Sequence, residues 1–347
     1  MKATLVALAL SLPLALLVPG GADAASPQSS SPTLPHAFTA GTPALADEVN
    51  ANFDALASFA GHLSDRIDVL PPRPSSDARI VVAPSGGEFA SIADALTEAA
   101  ARVLATGERV LVDVLPGTYQ ESSFLSVGTD VTLRGAGMGE TRILLDRASF
   151  STQSAVTLLD RSVASGFTVK YSGTLLGSGS RFTVGCFGDD ALVEDVRVLT
   201  PDEPQAFGAF QVREGSATLR GCVYETDTSF GSDSGLVVTL DSTAVVEDCR
   251  FVLPDSPFST NAIYVFESTA TIRRTHLVGD VALYVVNNST ARVTGSELLG
   301  YRDAVLGTSG TNDIRIATSQ VEGTLFQGTV VDFVHCYDAA FEPIPDA

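Results

Sequence analysis

The chain has 347 residues, with 41 acidic against 21 basic side chains and a formal net charge of -20. So acidic a chain argues against a nucleic-acid backbone or an anionic bilayer as main partner. It also disfavours polyanionic glycans unless calcium bridges the like charges. Thirty Gly, no Trp and many Val, Thr and Ser suit a β-rich repeat protein of one large or two ordinary domains.

Lys2, the apolar run from Leu5 to Val18 and the small-residue site Ala22-Asp-Ala24 read as an export signal over residues 1–24. The run is short for a membrane span, and no later stretch could replace it, so no membrane insertion is expected after cleavage; an uncleaved anchor is the alternative. The expectation is a secreted protein, extracellular or periplasmic, in a compartment that permits disulfides.

Residues 25–44 begin with a Ser- and Pro-rich disordered lead-in. In residues 45–70, Val49, Phe53, Leu56, Ala60, Leu63, Ile67 and Leu70 fall at alternating steps of four and three. That seam predicts a heptad helix entered at Asp47 and stopped by Pro71-Pro72. So narrow a stripe is buried either as a cap on the rest of the chain or against copies of itself. The strict period leans toward a homo-oligomer through Val49 to Leu70. Phe38-Thr-Ala-Gly-Thr-Pro43 with Glu48-Val-Asn-Ala-Asn-Phe53 resembles a leader of bacterial surface proteins and phage tail fibres, which implies a β-rich domain after it. Residues 71–78 read as a linker, and residues 79–347 as the main domain.

Arg79 to Pro84 and Arg109 to Leu115 read as strands on either side of an amphipathic helix, Phe89 to Leu104, entered through Ser85-Gly-Gly. Three stretches stand out here: Val82-Ala-Pro-Ser-Gly-Gly-Glu-Phe-Ala-Ser-Ile-Ala-Asp-Ala-Leu96, Val112-Asp-Val-Leu-Pro-Gly-Thr-Tyr-Gln-Glu121 and Val131-Thr-Leu-Arg-Gly-Ala-Gly137. They resemble the opening of the pectin-lyase-like proteins, especially the pectinesterase branch. The resemblance spans Val81 to Leu145 and implies an all-β fold, a right-handed single-stranded parallel β-helix. Its helix would cap the first coil and hide that edge from aggregation. It is specific for fold and not for chemistry.

A phrase returns down the rest of the chain: Ser216-Ala-Thr-Leu-Arg-Gly-Cys-Val223, Ser242-Thr-Ala-Val-Val-Glu-Asp-Cys-Arg-Phe251, Ser268-Thr-Ala-Thr-Ile-Arg-Arg-Thr-His-Leu277 and Ser289-Thr-Ala-Arg-Val-Thr-Gly-Ser-Glu-Leu298. Recurrence at this scale means a solenoid. Taking Leu133, Val163, Val193, Leu219, Val246, Ile272, Val293, Ile316 and Phe333 as inward markers predicts about nine three-sided coils. The last step is short, so Phe341-Glu-Pro-Ile344 is expected to fold over the end. Asp195, Gly221, Asp248, Arg274 and Gly295 align as a one-residue left-handed bend, at which Arg274 is strained. One residue earlier, Glu194, Arg220, Glu247, Arg273 and Thr294 align; the charged members alternate in sign as a register-fixing ladder. Cys222 and Cys249 align inward, followed by Thr275, Ser296 and Ser319. A disulfide between them would be stretched, and a ladder of buried thiols fits better. Cys186 and Cys336 have no partner in sequence. His36, His62, His276 and His335 lack ligand spacing, and no metal or cofactor is expected. Calcium is a weak alternative at Asp189-Asp190 with Glu194-Asp195, or at Asp227 with Asp233.

The strand before each phrase is, by the same resemblance, the face where pectic enzymes keep their chemistry. With Phe210, Val237 and Ile263 inward, Gln211, Arg213, Val238, Leu240, Tyr264 and Phe266 point outward. This mostly apolar, aromatic face offers a platform for a polysaccharide or a surface protein, or is covered by another segment or chain. By resemblance to the esterase glutamine stretch, Gln205 takes an oxyanion-side role, and Asp227 in Tyr224-Glu-Thr-Asp-Thr228 answers to the catalytic acid. The Gln beside that Asp, the nucleophilic Asp motif and the Arg-Trp pair have no counterpart, so catalysis by that route is not expected. The expected function is non-catalytic binding by an exported bacterial β-helix. The alternatives are a divergent carbohydrate-active enzyme, pectinesterase-like or lyase-like, and an oligomeric surface stalk or spike.

Overall fold

The computed structural model describes residues 78–146, 154–172, 182–199, 208–227, 233–256, 259–326, 331–338 and 343–344. The export signal, the lead-in, the heptad helix, the linker up to residue 77 and Gln205 lie outside them. The described residues form 24 strands and one helix, and every strand pairing is parallel. Strands one coil apart therefore pair, and the connections between them wind to the right, as such crossovers do. The fold is a right-handed parallel β-helix with three sheets.

Sheet 1 carries the marker column. It runs Ile80, Val112, Leu133, Ala164, Val193, Leu219, Val246, Ile272, Val293, Ile316, Phe333, rung by rung. The column begins two rungs before the predicted one, and its fourth member is Ala164 rather than Val163. Sheet 2 stacks Tyr119, Ile143, Val169, Val198, Tyr224, Phe251, Leu277, Leu298 and Val321 inward, all buried. Sheet 3 contributes Val156, Val184, Phe210, Leu236, Ile263, Leu283 and Val305. The three columns meet in one core, in which the rings of Phe210 and Phe251 lie 5.7 Å apart.

Between sheets 1 and 2 the predicted bend is present at every rung from Gly166 onward. Gly166, Asp195, Gly221, Asp248, Arg274, Gly295, Thr318 and His335 all have φ between 47° and 69°. The bend reverses the hydrogen-bond direction. The bend amides of Asp248, Arg274 and Gly295 donate to the following coil, while those of Arg250, His276 and Glu297 donate to the preceding one. The amide between them points inward and needs a buried acceptor. Cys249 N donates to Thr275 Oγ1 at 3.4 Å, Thr275 N to Ser296 Oγ at 3.2 Å and Ser296 N to Ser319 Oγ at 3.2 Å. Each hydroxyl in turn donates to the carbonyl two residues back.

Cys222, Cys249 and Cys336 use the same positions, their thiols donating to carbonyls of Val193, Glu247 and Ile316 at 3.4, 3.2 and 3.3 Å. All four cysteines are free and buried. Burial pushes the Cys186 thiol up to about 12, which leaves no reactive thiolate near neutrality.

The other corner repeats the device and explains why the phrase opens on Ser. Ser242 N donates to Ser268 Oγ, Ser268 N to Ser289 Oγ and Ser289 N to Asn312 Oδ1, at 3.1, 3.2 and 3.0 Å.

Helix α1 (Ile92–Thr106) starts three residues later than predicted and covers the first coils with Ile92, Ala95, Leu96 and Ala99. Phe89 instead forms an isolated parallel bridge with Val82, its carbonyl accepting from Ala83 N at 3.0 Å. Ser91 is the N-cap. The buried carboxylate of Glu121 accepts from Ile92 N at 2.6 Å and Ser91 Oγ at 3.1 Å, a favourable place for negative charge. At the far end Ile344 N donates to Cys336 O at 2.8 Å, and Ile344 packs on the core as expected of a closing segment. Among the described residues no helix is long and apolar enough to cross a membrane.

Candidate functional site: the outer face of sheet 3

The outward side chains of sheet 3 form two columns. One runs Gln211, Val237, Tyr264, Tyr284 and Leu306, and the other Arg213, Thr239, Phe266, Val286 and Thr308. Gln211, Arg213, Tyr264 and Phe266 are therefore where the sequence places them, half-buried on the face. Val238 is not. It stacks between Val212 and Val265 with no exposure, and Val237 takes the outward place. An apolar pair such as Val237-Val238 carries no period-two signal, so either residue could have been taken inward. Leu240 is exposed at the following turn.

Tyr264 is the centre of the face. Its ring lies 5.2 Å from Tyr284 at 45° and 6.3 Å from Phe266 at 37°, tilted packing that suits aromatic quadrupoles. Tyr284 and Thr308 share a hydroxyl hydrogen bond of 3.1 Å. Burial, and then the neighbouring Tyr284 and Glu267, raise the Tyr264 phenol above its ordinary value. Its hydroxyl is thus a neutral donor at any physiological pH. Arg213 donates to Glu214 at 3.0 Å. The two columns contain no Asp or Glu.

A carboxylate cluster that the sequence reading missed stands at one edge of this face. Asp280 is buried, and Arg302 bridges it at 3.0 Å to Asp303 at 2.8 Å. Desolvation first, then Asp255 and Asp303, hold Asp280 above the usual carboxylate range despite Arg302. Strands His276–Val286 and Glu297–Thr308 run unbroken from sheet 2 into sheet 3, with register shifts at Gly279/Val281 and Leu299/Asp303. Those irregularities break the repeat alignment. Gly279-Asp280 and Arg302-Asp303 ahead of two apolar strands were the available signal.

Asp227 is exposed beyond the strand Val223–Glu225, whose Tyr224 sits in the core. Asp227 thus leaves from sheet 2 and stands outside the outward columns of sheet 3, while Gln205 lies outside the described residues. Among the described residues no three His, Cys, Asp or Glu are grouped to hold a metal ion. Of the acidic pairs considered for calcium, Asp233 is buried and Asp227 exposed.

No sequence-family model matches this chain, and neither does any curated protein. Among solved structures, a pectin methylesterase from Erwinia chrysanthemi is 12% identical over 79% of this chain and 92% of its own, with a TM-score of 0.43. A pectate lyase is 13% identical over 75% and 76%, with a TM-score of 0.44. The A-module of a mannuronan C-5 epimerase from Azotobacter vinelandii is 14% identical over 71% and 91%, with a TM-score of 0.37. These likenesses concern the winding of the chain and carry no chemistry to its faces.

Proposed function

We propose that this is an exported, non-catalytic binding protein that holds a neutral polysaccharide along the outer face of sheet 3. The observation that carries the reading is the Tyr264, Tyr284 and Phe266 cluster, fringed by Gln211, Thr239 and Thr308. Aromatic faces pack on the C–H faces of sugar rings, and the amide and hydroxyl fringe serves their hydroxyls. Rungs about 4.8 Å apart repeat on the scale of one sugar ring. Export by residues 1–24 and self-association through Val49 to Leu70 belong to the same reading and would array several such faces. A screen of the mature protein against immobilised neutral glycans tests it. Binding by the wild type that falls about tenfold or more in Tyr264→Ala, with the melting transition retained, is expected. A wild type that binds no neutral glycan would sink the reading.

A second reading, a divergent carbohydrate-active enzyme, is favoured by Asp280 with its raised pKa beside Arg302 and Asp303. A carboxyl group whose pKa is raised is better suited to general-acid work than an ordinary one. Release of methanol or unsaturated sugars by the wild type, abolished in Asp280→Asn, would displace the first reading in its favour.

A further inference from the structure

The left-handed column between sheets 1 and 2 contains three glycines, and two of them, Gly221 and Gly295, stand on coils of the repeated phrase. They differ in what lies over them. A Cβ on Gly221 would meet Asp195 Oδ1 at 2.3 Å, because that carboxylate folds across the rung. Over Gly295 the nearest atom is Arg274 Cγ, 4.0 Å away. The rung is bare, and an open cleft of about 470 Å3 lies there. That is room enough for a small ligand. Arg274 lines it from the corner, and His276, Glu297, Gln320 and Tyr337 line it from four successive rungs of sheet 2.

The polar groups are partly committed to one another, which fixes their orientation. Arg274 spends Nε and Nη2 on Asp248, at 2.7 and 2.8 Å, and Nη1 takes no part in that pair. His276 Nδ1 is paired with Glu297, which leaves Nε2 outside that bond.

The charges decide the class of ligand. Asp248 offsets Arg274, and Glu297 adds a negative charge, so an anion would meet a carboxylate. A cation would meet the guanidinium. Guanidinium, imidazole, carboxylate and amide groups around one aromatic residue suit a neutral polyhydroxylated ligand, with donors and acceptors for its hydroxyls and a ring for its C–H face.

We propose that this corner cleft is a second ligand site, separate from sheet 3, which takes a single neutral sugar residue. It needs none of the groups on the sheet-3 face. The test is a titration of the wild type with methyl glycosides of the common neutral hexoses, and with inorganic phosphate as the anionic probe. It is repeated in Gly295→Asp, Gln320→Ala and Tyr284→Ala. Asp is already accommodated at this bend at positions 195 and 248, so Gly295→Asp puts a side chain and a charge into the cleft within an intact corner, and Gln320→Ala removes a lining amide without touching the bend. Expected is binding of at least one glycoside, weakened about tenfold or more in both cleft variants and retained in Tyr284→Ala. No glycoside binding by the wild type overturns the proposal, as does binding at wild-type strength in the two cleft variants or preference for phosphate. A signal lost only in Tyr284→Ala overturns it too, while leaving the sheet-3 reading intact.

Discussion

On sheet 1 the outward column Glu194, Arg220, Glu247, Arg273 closes on itself, with ion pairs of 3.4, 3.3 and 3.0 Å between successive rungs. On sheet 3 the outward column Gln211, Val237, Tyr264, Tyr284, Leu306 offers apolar and aromatic surface instead. Both columns obey the same stacking distance and stand on the same core. The charged column satisfies its groups internally and keeps the coils in register. The aromatic column leaves half-buried rings at the surface, which is where a partner gains by burying them. One geometry thus separates a face that maintains the scaffold from a face available for recognition.

The largest effect should strike what the two faces share. Phe251 has no exposure and packs on Phe210. Phe251→Ala should lower the unfolding free energy by about 3–5 kcal/mol, read from the urea midpoint. Binding measured well below that midpoint should be changed far less.

Next come substitutions that separate the faces. Tyr284→Ala should reduce glycan affinity about tenfold or more and leave the urea midpoint nearly unchanged. Arg220→Ala should do the opposite, losing under about 1 kcal/mol of stability with affinity intact. Equal loss of affinity in both variants would erase the distinction between the columns. Arg220→Glu sharpens it by setting a carboxylate between Glu194 and Glu247. It should cost about 1 kcal/mol at low salt and recover as salt is added.

The smallest effect is a pH dependence with two signs. Hydrogen bonding to Arg274 holds Asp248 below the usual carboxylate range. Its share of stability is present above the ordinary Asp value and lost as pH falls through the lowered one. Because Asp248 and Arg274 are about half exposed, that share is only a few tenths of a kcal/mol. Asp280 is shifted upward, so the folded state holds its proton more tightly, and stability falls as pH rises through the raised value. In urea titrations against pH, Asp248→Asn should flatten the acid limb, and Asp280→Asn should remove a loss on the other side. The same slope in both variants would contradict the assignment.

Much of the scaffold was legible because a solenoid repeats its instructions. The phrase around Val246, Glu247, Asp248 and Cys249 names an inward residue, a ladder rung, a left-handed bend and a buried plug, and each holds the expected position. The strain expected at Arg274 is real, since its φ is 47°, a region costing an ordinary residue roughly 1–2 kcal/mol. Its two hydrogen bonds to Asp248 return only a small part of that cost, because the pair is half exposed. The outer face of sheet 3 was legible in kind but not in detail. Gln211, Arg213, Tyr264 and Phe266 were placed correctly, while Val238 was set on the wrong side.

What the sequence determined by itself is the coil: local periodicity, the small residues tolerated at a bend and the Ser, Thr or Cys that serves an inward amide. These are properties of one rung, repeated. Tertiary structure alone decided what depends on neighbouring rungs. It placed Asp280, Arg302 and Asp303 together across two irregular strands, filled Gly221 with the Asp195 carboxylate and left Gly295 open. The reason is that stacking brings residues some twenty to thirty positions apart to about 4.8 Å. A one-residue shift in either strand changes which side chains meet.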